Sequence, residues 1–425
     1  MKIAIVGGGI TGLIAGSILS QNHQVTIFEK ENILGGLANS FKMNNWQWPL
    51  EKYFHHFFAS DRKLLNLIKD LNLENDLLFF APKTSVFVEG KIYRFDNPKS
   101  ILLFPKLNFL NKIRTGVSAF LFKINPFWKP LEKITAADLL KTTMGEKTYK
   151  LIWQPLLKSK FGEFDEEISG AWIWTRINKR SFRLGYLKNG INSLIEALSR
   201  KIKKNNGRIF LKSEVTKVRK IKNKFYIFKN ERKYNEEFDK VLITSSPETL
   251  LKLSNLKKEK NKIEALKSLG CLCLILELRK PFLTDGTYWL NVNDASFPFV
   301  AVVEHTNFID KKFYGNYPLL YVGGYYSLKN PILTFEKEQV LKKFVPFLKK
   351  INPDFSSQSI LNSWIFKDFY AQPIVTRNYS TIAPKIKTSI PGLYWTSLHH
   401  VYPQDRGINY AIELGEKAAN EILQS

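Results

Sequence analysis

Gly7, Gly9 and Gly12 form a G-x-G-x-x-G pattern directly after the apolar run Ile3 to Val6, with Gly16 one helical turn further on. Such spacing binds a pyrophosphate. Gly7 permits the tight turn, Gly9 lets the backbone approach the phosphates, and Gly12 lets the following helix pack against the strand. Ile10 and Thr11 then offer backbone N–H groups at a helix N-terminus, where the dipole favours an anion. Glu29 lies 17 residues after Gly12, closing a second apolar run from Gln24 to Phe28. A carboxylate there accepts hydrogen bonds from a ribose, with Lys30 beside it as a further contact. Strand, glycines, helix, strand and acid together specify a dinucleotide; a glycine-rich turn without a ligand is the bland reading.

Other groups could carry proton transfer or bind an anion. Glu51-Lys52-Tyr53-Phe54-His55-His56 is followed by Asp61, and adjacent histidines point in different directions, so one of them, His56, is the candidate for catalysis. The run Leu398 to Arg406 contains His399, His400, Tyr402, Asp405 and Arg406. A neutral imidazole accepts a proton near pH 7. Tyr402 and Arg406 are the catalytic candidates here, while Asp405 either binds a ligand or caps the helix that opens at Gly407. Glu304-His305 reads equally well as turn chemistry, and Trp364 to Pro373 as a cavity wall or a strand edge. Lys158 and Lys160 are candidate contacts for an anionic substrate.

Further along the chain, Gly35-Gly36-Leu37 follows the ribose acid by six residues. Near the other end, Pro391 to Ser397 reads as a buried strand, and Gly407-Ile408-Asn409 opens a helix. Between them, Gly185 to Gly190 precedes a helix from Ile191 to Lys203, a strand at 207–211, two alternating runs after Val215, and an apolar run Val241 to Ile243. In this order the chain resembles the flavin amine oxidase, protoporphyrinogen oxidase and phytoene desaturase superfamily, with some likeness to UDP-galactopyranose mutases around His55-His56. The resemblance spans the whole chain. It implies noncovalent FAD in an extended form, with Gly36 and Leu37 at the second glycine motif and Val215 pairing its backbone with adenine. Ser397 or Asp405 would touch the ribityl chain, and Gly407, Ile408 and Asn409 would face the pyrimidine edge of the ring. The sequence departs from the family pattern at Leu37, where many members have Arg, and at Thr396-Ser397, where Gly-Asp is usual. No second G-x-G-x-x-G follows a strand, so a separate NAD(P)H domain is not expected.

Composition agrees with a large globular enzyme. The 425 residues are 44% apolar and 14% aromatic, and the net charge is +26. Lysine outnumbers arginine 51 to 13 and is spread along the chain, so biased composition explains the charge better than nucleic-acid binding does. Cys271 and Cys273 are the only cysteines; they read as small buried hydrophobes, and neither a zinc site nor a cysteinyl flavin near the C-terminus is expected. The chain opens directly on a strand and has no run long enough to span a bilayer, so it reads as cytoplasmic. Residues 97–131 carry six basic residues, no acid and many aromatics. They form either a patch docking on the inner, anionic face of a membrane or a buried helical hairpin with its lysines in solvent.

The expected fold is α/β: an FAD-binding Rossmann-like domain of the extended-FAD type, discontinuous in sequence (1–49, 185–255 and 374–425), with an α+β substrate domain. The substrate domain divides into a mostly helical part (50–184) and a mixed sheet (256–373). The expected activity is hydride transfer from a C–H or C–N bond of a lipophilic or anionic small molecule to flavin N5. The alternative is a redox-neutral flavoenzyme acting on a nucleotide sugar, with Arg176, Arg180, Arg183 and Arg406 as the candidates for its diphosphate. Substrate identity, electron acceptor and oligomeric state are not legible.

Overall fold

The computed structural model describes all 425 residues. β1 (Lys2–Val6) runs into α1 (Ile10–Leu19) and returns as β2 (Gln24–Phe28). Both strands are apolar almost throughout because the sheet is covered on both faces. α1 is likewise buried nearly all round, by Ile10, Leu13, Ile14, Ala15 and Leu19. A Cβ on Gly12 would stand 2.2 Å from the Gly7 carbonyl oxygen, so only glycine allows this helix so close to the turn below it.

The next segment is less helical than its sequence suggests. β3 (Lys83–Val88) and β4 (Lys91–Arg94) form a hairpin, and Leu77–Phe80 is another short strand. Glu89 and Gly90 both take positive φ (49° and 78°), the turn that matches the twist of a two-residue hairpin. The run Thr84-Ser85-Val86-Phe87-Val88 favours the extended state on either side. Helices then follow: α2 (Phe109–Ile124), α3 (Gln154–Phe161), α4 (Gly170–Asn178) and α5 (Asn192–Lys204).

β5 (Arg208–Phe210) and β6 (Lys240–Thr244) return to the first sheet. Between them lies an antiparallel meander of Val215–Ile221, Lys224–Lys229 and Arg232–Phe238. Four strands of the second sheet come next: β7 (Ser268–Leu278), β8 (Thr287–Val292), β9 (Ala301–Glu304) and β10 (Leu319–Tyr326). β9 begins later than the apolar run from Phe297 implies, because Asp294 accepts the amides of Ser296 and Phe297 in a turn and Pro298 follows. β11 (Ile360–Pro373), β12 (Leu393–Thr396) and α6 (Ile408–Leu423) complete the chain.

The first sheet has the order β5-β2-β1-β6-β12 with every pair parallel. Its strands thus come from three separated stretches of sequence. The second sheet is mixed, in the order β11-β7-β10-β9-β8-β3-β4, and β8 pairs parallel with β3. One apolar core lies between the parallel sheet and α1, α5 and α6. A second fills one face of the mixed sheet, and a third joins α2, α3 and α4 to its edge.

α6 packs tightly on α1. A Cβ on Gly415 would lie 2.7 Å from both the Ile14 Cβ and the Thr11 carbonyl oxygen. Gly415→Ala should therefore lower stability by about 1–3 kcal/mol through overpacking. Gly116→Ala, where a Cβ meets nothing, should be neutral or stabilising by less than about 1 kcal/mol. Urea unfolding followed by tryptophan fluorescence compares the two, and equal midpoint shifts would contradict this account of the α1–α6 contact.

Candidate active site

The carboxyl end of the parallel sheet is where the chemically capable residues collect. Gly9 caps α1 without any side-chain hydrogen bond, and the first turn contains no acid, so its N–H groups and dipole face outward unneutralised. A Cβ on Gly9 would meet nothing within 4 Å, which leaves open space where a phosphate would sit. Opposite lies Gly36, with φ 56°, opening the short turn that holds Leu37. Gly35 donates its amide to the Gly8 carbonyl at 2.9 Å and so fixes the two glycine turns together. Glu29 is buried; its carboxylate accepts the Gly8 amide at 2.6 Å and the Glu31 amide at 2.9 Å.

Thr11 donates its hydroxyl to the Ala411 carbonyl of α6, so the N-termini of α1 and α6 lie side by side. α6 too begins without a side-chain cap and without an acid in its first turn. Asn409 is only partly available, since its Oδ1 accepts the Leu64 amide. Asn39 Oδ1 and Ser40 Oγ, just after the Gly35-Gly36 turn, and Thr396 Oγ1, at the end of β12, are buried polar atoms without a partner. Buried polar atoms are normally paired. Open glycines, two uncapped helix ends, a buried acid and these unpaired atoms fit an extended dinucleotide.

Beyond the α6 N-terminus lies a compact group of cations. Lys160 of α3 donates to Asp405 Oδ2 at 2.9 Å, and the Arg176 guanidinium of α4 stands 4.0 Å from the same oxygen. Lys160 and Arg176 each lie 5.1 Å from the Trp172 ring, and Arg406 lies 4.7 Å from the Tyr325 ring. Lys160 and Arg176 thus share one carboxylate, Arg406 lies against the same Tyr325 ring as Lys160, and Trp172 Nε1 is a further buried donor without a partner. Burial lowers Lys160 to about 7, with Arg176 and Arg406 adding to the effect and Asp405 opposing it. Burial alone would raise Asp405, but Lys160, Arg176 and Arg180 hold its carboxyl below the ordinary range.

His55 and His56 border this group. Burial, with the Arg406 charge adding to it, lowers His55 to about 4. Burial, Arg180 and His55 lower His56 to about 3. Both imidazoles are therefore neutral at pH 7. His55 Nδ1 bonds the Tyr53 carbonyl and His56 Nδ1 the Tyr288 hydroxyl.

The remaining predicted residues fall elsewhere. Tyr402 is turned away from the cations: its hydroxyl donates to Glu132 at 2.9 Å, and the same carboxylate holds Ser380 and Lys129. Its aromatic neighbours are Trp128 and Tyr379. Tyr402 thus anchors its loop to Glu132, and its hydroxyl is not among the groups that meet at Asp405. Lys30 is exposed and pairs only with Glu31, and Lys158 is also at the surface. Val215 begins the meander, close to Glu29 through the Ser213 amide that bonds the Glu29 carbonyl. Ser397 caps a short turn, its hydroxyl 3.1 Å from His400 Nδ1. Glu304 is buried and accepts the Phe282 and Leu283 amides, while His305 bonds Tyr314. Trp172 and Tyr325 are site residues that sequence reasoning missed. Lys160 carried a readable signal: Leu156, Leu157, Lys160 and Phe161 share the buried face of one helix, where a lysine needs a reason.

Tyr402→Phe should cost about 1.5–3 kcal/mol, the worth of a hydrogen bond to a charged carboxylate, and leave the rate of flavin reduction within about two-fold. Thermal unfolding and stopped-flow reduction measure the two effects, and a hundred-fold slower reduction would return Tyr402 to catalysis.

The family model for flavin containing amine oxidoreductases matches residues 10–423. An uncharacterized protein of Methanocaldococcus jannaschii is 28% identical over 265 residues, 62% of this chain and 63% of that protein. A coproporphyrinogen III oxidase of Staphylococcus aureus is 24% identical over 289 residues, 59% of this chain and 61% of that protein. These alignments span about three fifths of each relative's length. The crystal structure of a reduced UDP-galactopyranose mutase superposes with a TM-score of 0.76 at 13% identity, covering 100% of this chain and 95% of that one, a likeness of fold.

Proposed function

The chain belongs to the flavin containing amine oxidoreductase family, and on that premise we propose that it is an oxidoreductase with noncovalent FAD acting on an anionic, partly apolar small molecule. The observation that carries the substrate class is the buried excess of positive charge at Lys160, Arg176 and Arg406 against the single carboxylate of Asp405. Taking cations out of water costs several kcal/mol each, and one carboxylate offsets only part of it. An anionic group of the substrate would complete the balance and accept from Trp172 Nε1.

The α1 N-terminus and Gly36 would hold the pyrophosphate, Glu29 the adenosine ribose, and the α6 N-terminus the ring. When bound, FAD supplies a two-electron acceptor for a hydride from a C–H or C–N bond of the substrate. The protein orients the substrate through its anionic group and excludes water with Trp172, Tyr325 and the neutral imidazoles. Noncovalent binding agrees with the two thiols, which are buried on β7 and protonated; burial pushes Cys271 up to about 12.

The same cations suit a diphosphate. That favours, as a second reading, a redox-neutral rearrangement of a nucleotide sugar. The two readings part on redox requirement: net oxidation consumes an electron acceptor, whereas the rearrangement needs reduced flavin and consumes none.

An absorbance spectrum before and after acid precipitation tests the cofactor, with intact FAD released into the supernatant as the expected result. Pyrophosphate titrated against the flavin band then tests the cation group. Sulfate, whose own charge is constant from pH 6 to pH 8, should bind more weakly across that range as Lys160 loses its proton through about 7. Lys160→Met should flatten that dependence, and Arg176→Gln should weaken binding about ten-fold, as expected for a charge-assisted hydrogen bond. A colourless protein that FAD does not reconstitute would sink both readings; a yellow protein indifferent to pyrophosphate would remove the anionic substrate alone.

A further inference from the structure

α2 is built inside out. Its inward face is polar: Thr115 bonds the Asn111 carbonyl and the Thr148 hydroxyl, and Ser118 donates to the Thr143 carbonyl. Of its large apolar side chains only Phe122 is buried. The outward face runs from Phe109 through Ile113, Val117, Phe120 and Leu121 to Ile124, and Phe109 and Phe120 are 76% and 63% exposed. Leu103 before the helix and Phe127 after it extend the same surface. Contiguous apolar surface on this scale marks an interaction site.

We propose that this face docks the protein on an anionic lipid bilayer, with α2 lying in the plane of the interface. The rim decides the occupant. Residues 97–131 contain six basic residues and no acid. Lys99, Lys112 and Arg114 have no carboxylate partner, while Lys123 is directed to the Asn178 and Arg180 carbonyls. Lys106 and Lys129 are paired with Glu89 and Glu132, so Lys99, Lys112 and Arg114 supply the free positive charge that complements anionic headgroups. It opposes a symmetric dimer, which would set the same lysines against each other. At 16 residues α2 is too short to span, and no helix of the protein is long and apolar enough to do so.

The face is also coupled to the cation group. Asn178 of α4 donates to the Phe122, Lys123 and Asn125 carbonyls, and Trp174 donates to the Asn125 carbonyl. α4 therefore carries Arg176 on one side and α2 on the other. Docking itself needs no flavin chemistry, so its test stands apart from the proposed activity.

The experiment is co-sedimentation of the full chain, as purified with its cofactor, with phosphatidylcholine vesicles and with an equal mixture of phosphatidylcholine and phosphatidylglycerol. Binding to the mixed vesicles should exceed binding to the neutral ones by about ten-fold. Phe109→Glu/Phe120→Glu should abolish it, with the far-ultraviolet circular dichroism unchanged because both side chains are exposed. Lys99→Glu/Lys112→Glu should remove the preference for the anionic vesicles. Failure of the wild-type protein to bind, or equal binding by the double phenylalanine variant, would overturn the proposal. So would a dimer of the wild-type protein that this variant dissolves without any vesicle binding, which would make the face a self-association surface.

Discussion

The packing of α6 on α1 is the contact on which the site depends. The two helices meet where Gly415, lacking a side chain of its own, lets the Ile14 side chain and the Thr11 carbonyl approach its backbone. That closeness, with the Thr11–Ala411 hydrogen bond, sets two uncapped helix N-termini side by side at one end of the parallel sheet. Their partial positive charges reinforce each other, so the place suits a ligand with an anion at one end and an electron-poor ring at the other. The loop entering α6 carries Asp405 and Arg406, so the same contact also places the cation group.

The cations are arranged to be wanted rather than merely tolerated. Each is seated against an aromatic face, which recovers part of the lost hydration. Lys160 and Arg176 share Trp172, and Arg406 has Tyr325. By contrast, Glu132 is a buried acid with a full set of partners in Lys129, Ser380 and Tyr402. One group is balanced and holds a loop in place. The other carries surplus charge.

The dinucleotide half was legible in the sequence because its signals are local. Gly7, Gly9, Gly12 and Glu29 fall within one strand–helix–strand unit, and their spacing alone dictates where each must lie. The substrate half was legible only as separate candidates, Lys160, Arg176 and Arg406, because their meeting with Trp172 and Tyr325 brings together residues 160–176, 325 and 406, which are far apart in the chain. The partner of Tyr402 was illegible for a related reason: its neighbours in sequence are candidate site residues, but Glu132 lies 270 positions away. The hairpin at Lys83–Arg94 was available in the Glu-Gly turn and the β-branched run, and the expectation of a mostly helical segment passed over both. For α2 the sequence left two readings open. The helix pattern was clear, but nothing in it says whether a stripe of Phe, Leu and Ile faces inward or outward.

The strand order of the parallel sheet has a consequence for how the protein is made. β1 and β2 leave the ribosome first, yet their neighbours β5 and β6 come from residues 208–244 and β12 from residues 393–396. Translation proceeds at about 5–20 residues per second, so the first strands wait tens of seconds for the last. Throughout that time the apolar edges of the half-built sheet and the outward face of α2 are exposed together. The parallel sheet therefore gains its last strand, and α1 its covering helix α6, only when the final thirty or so residues are in place.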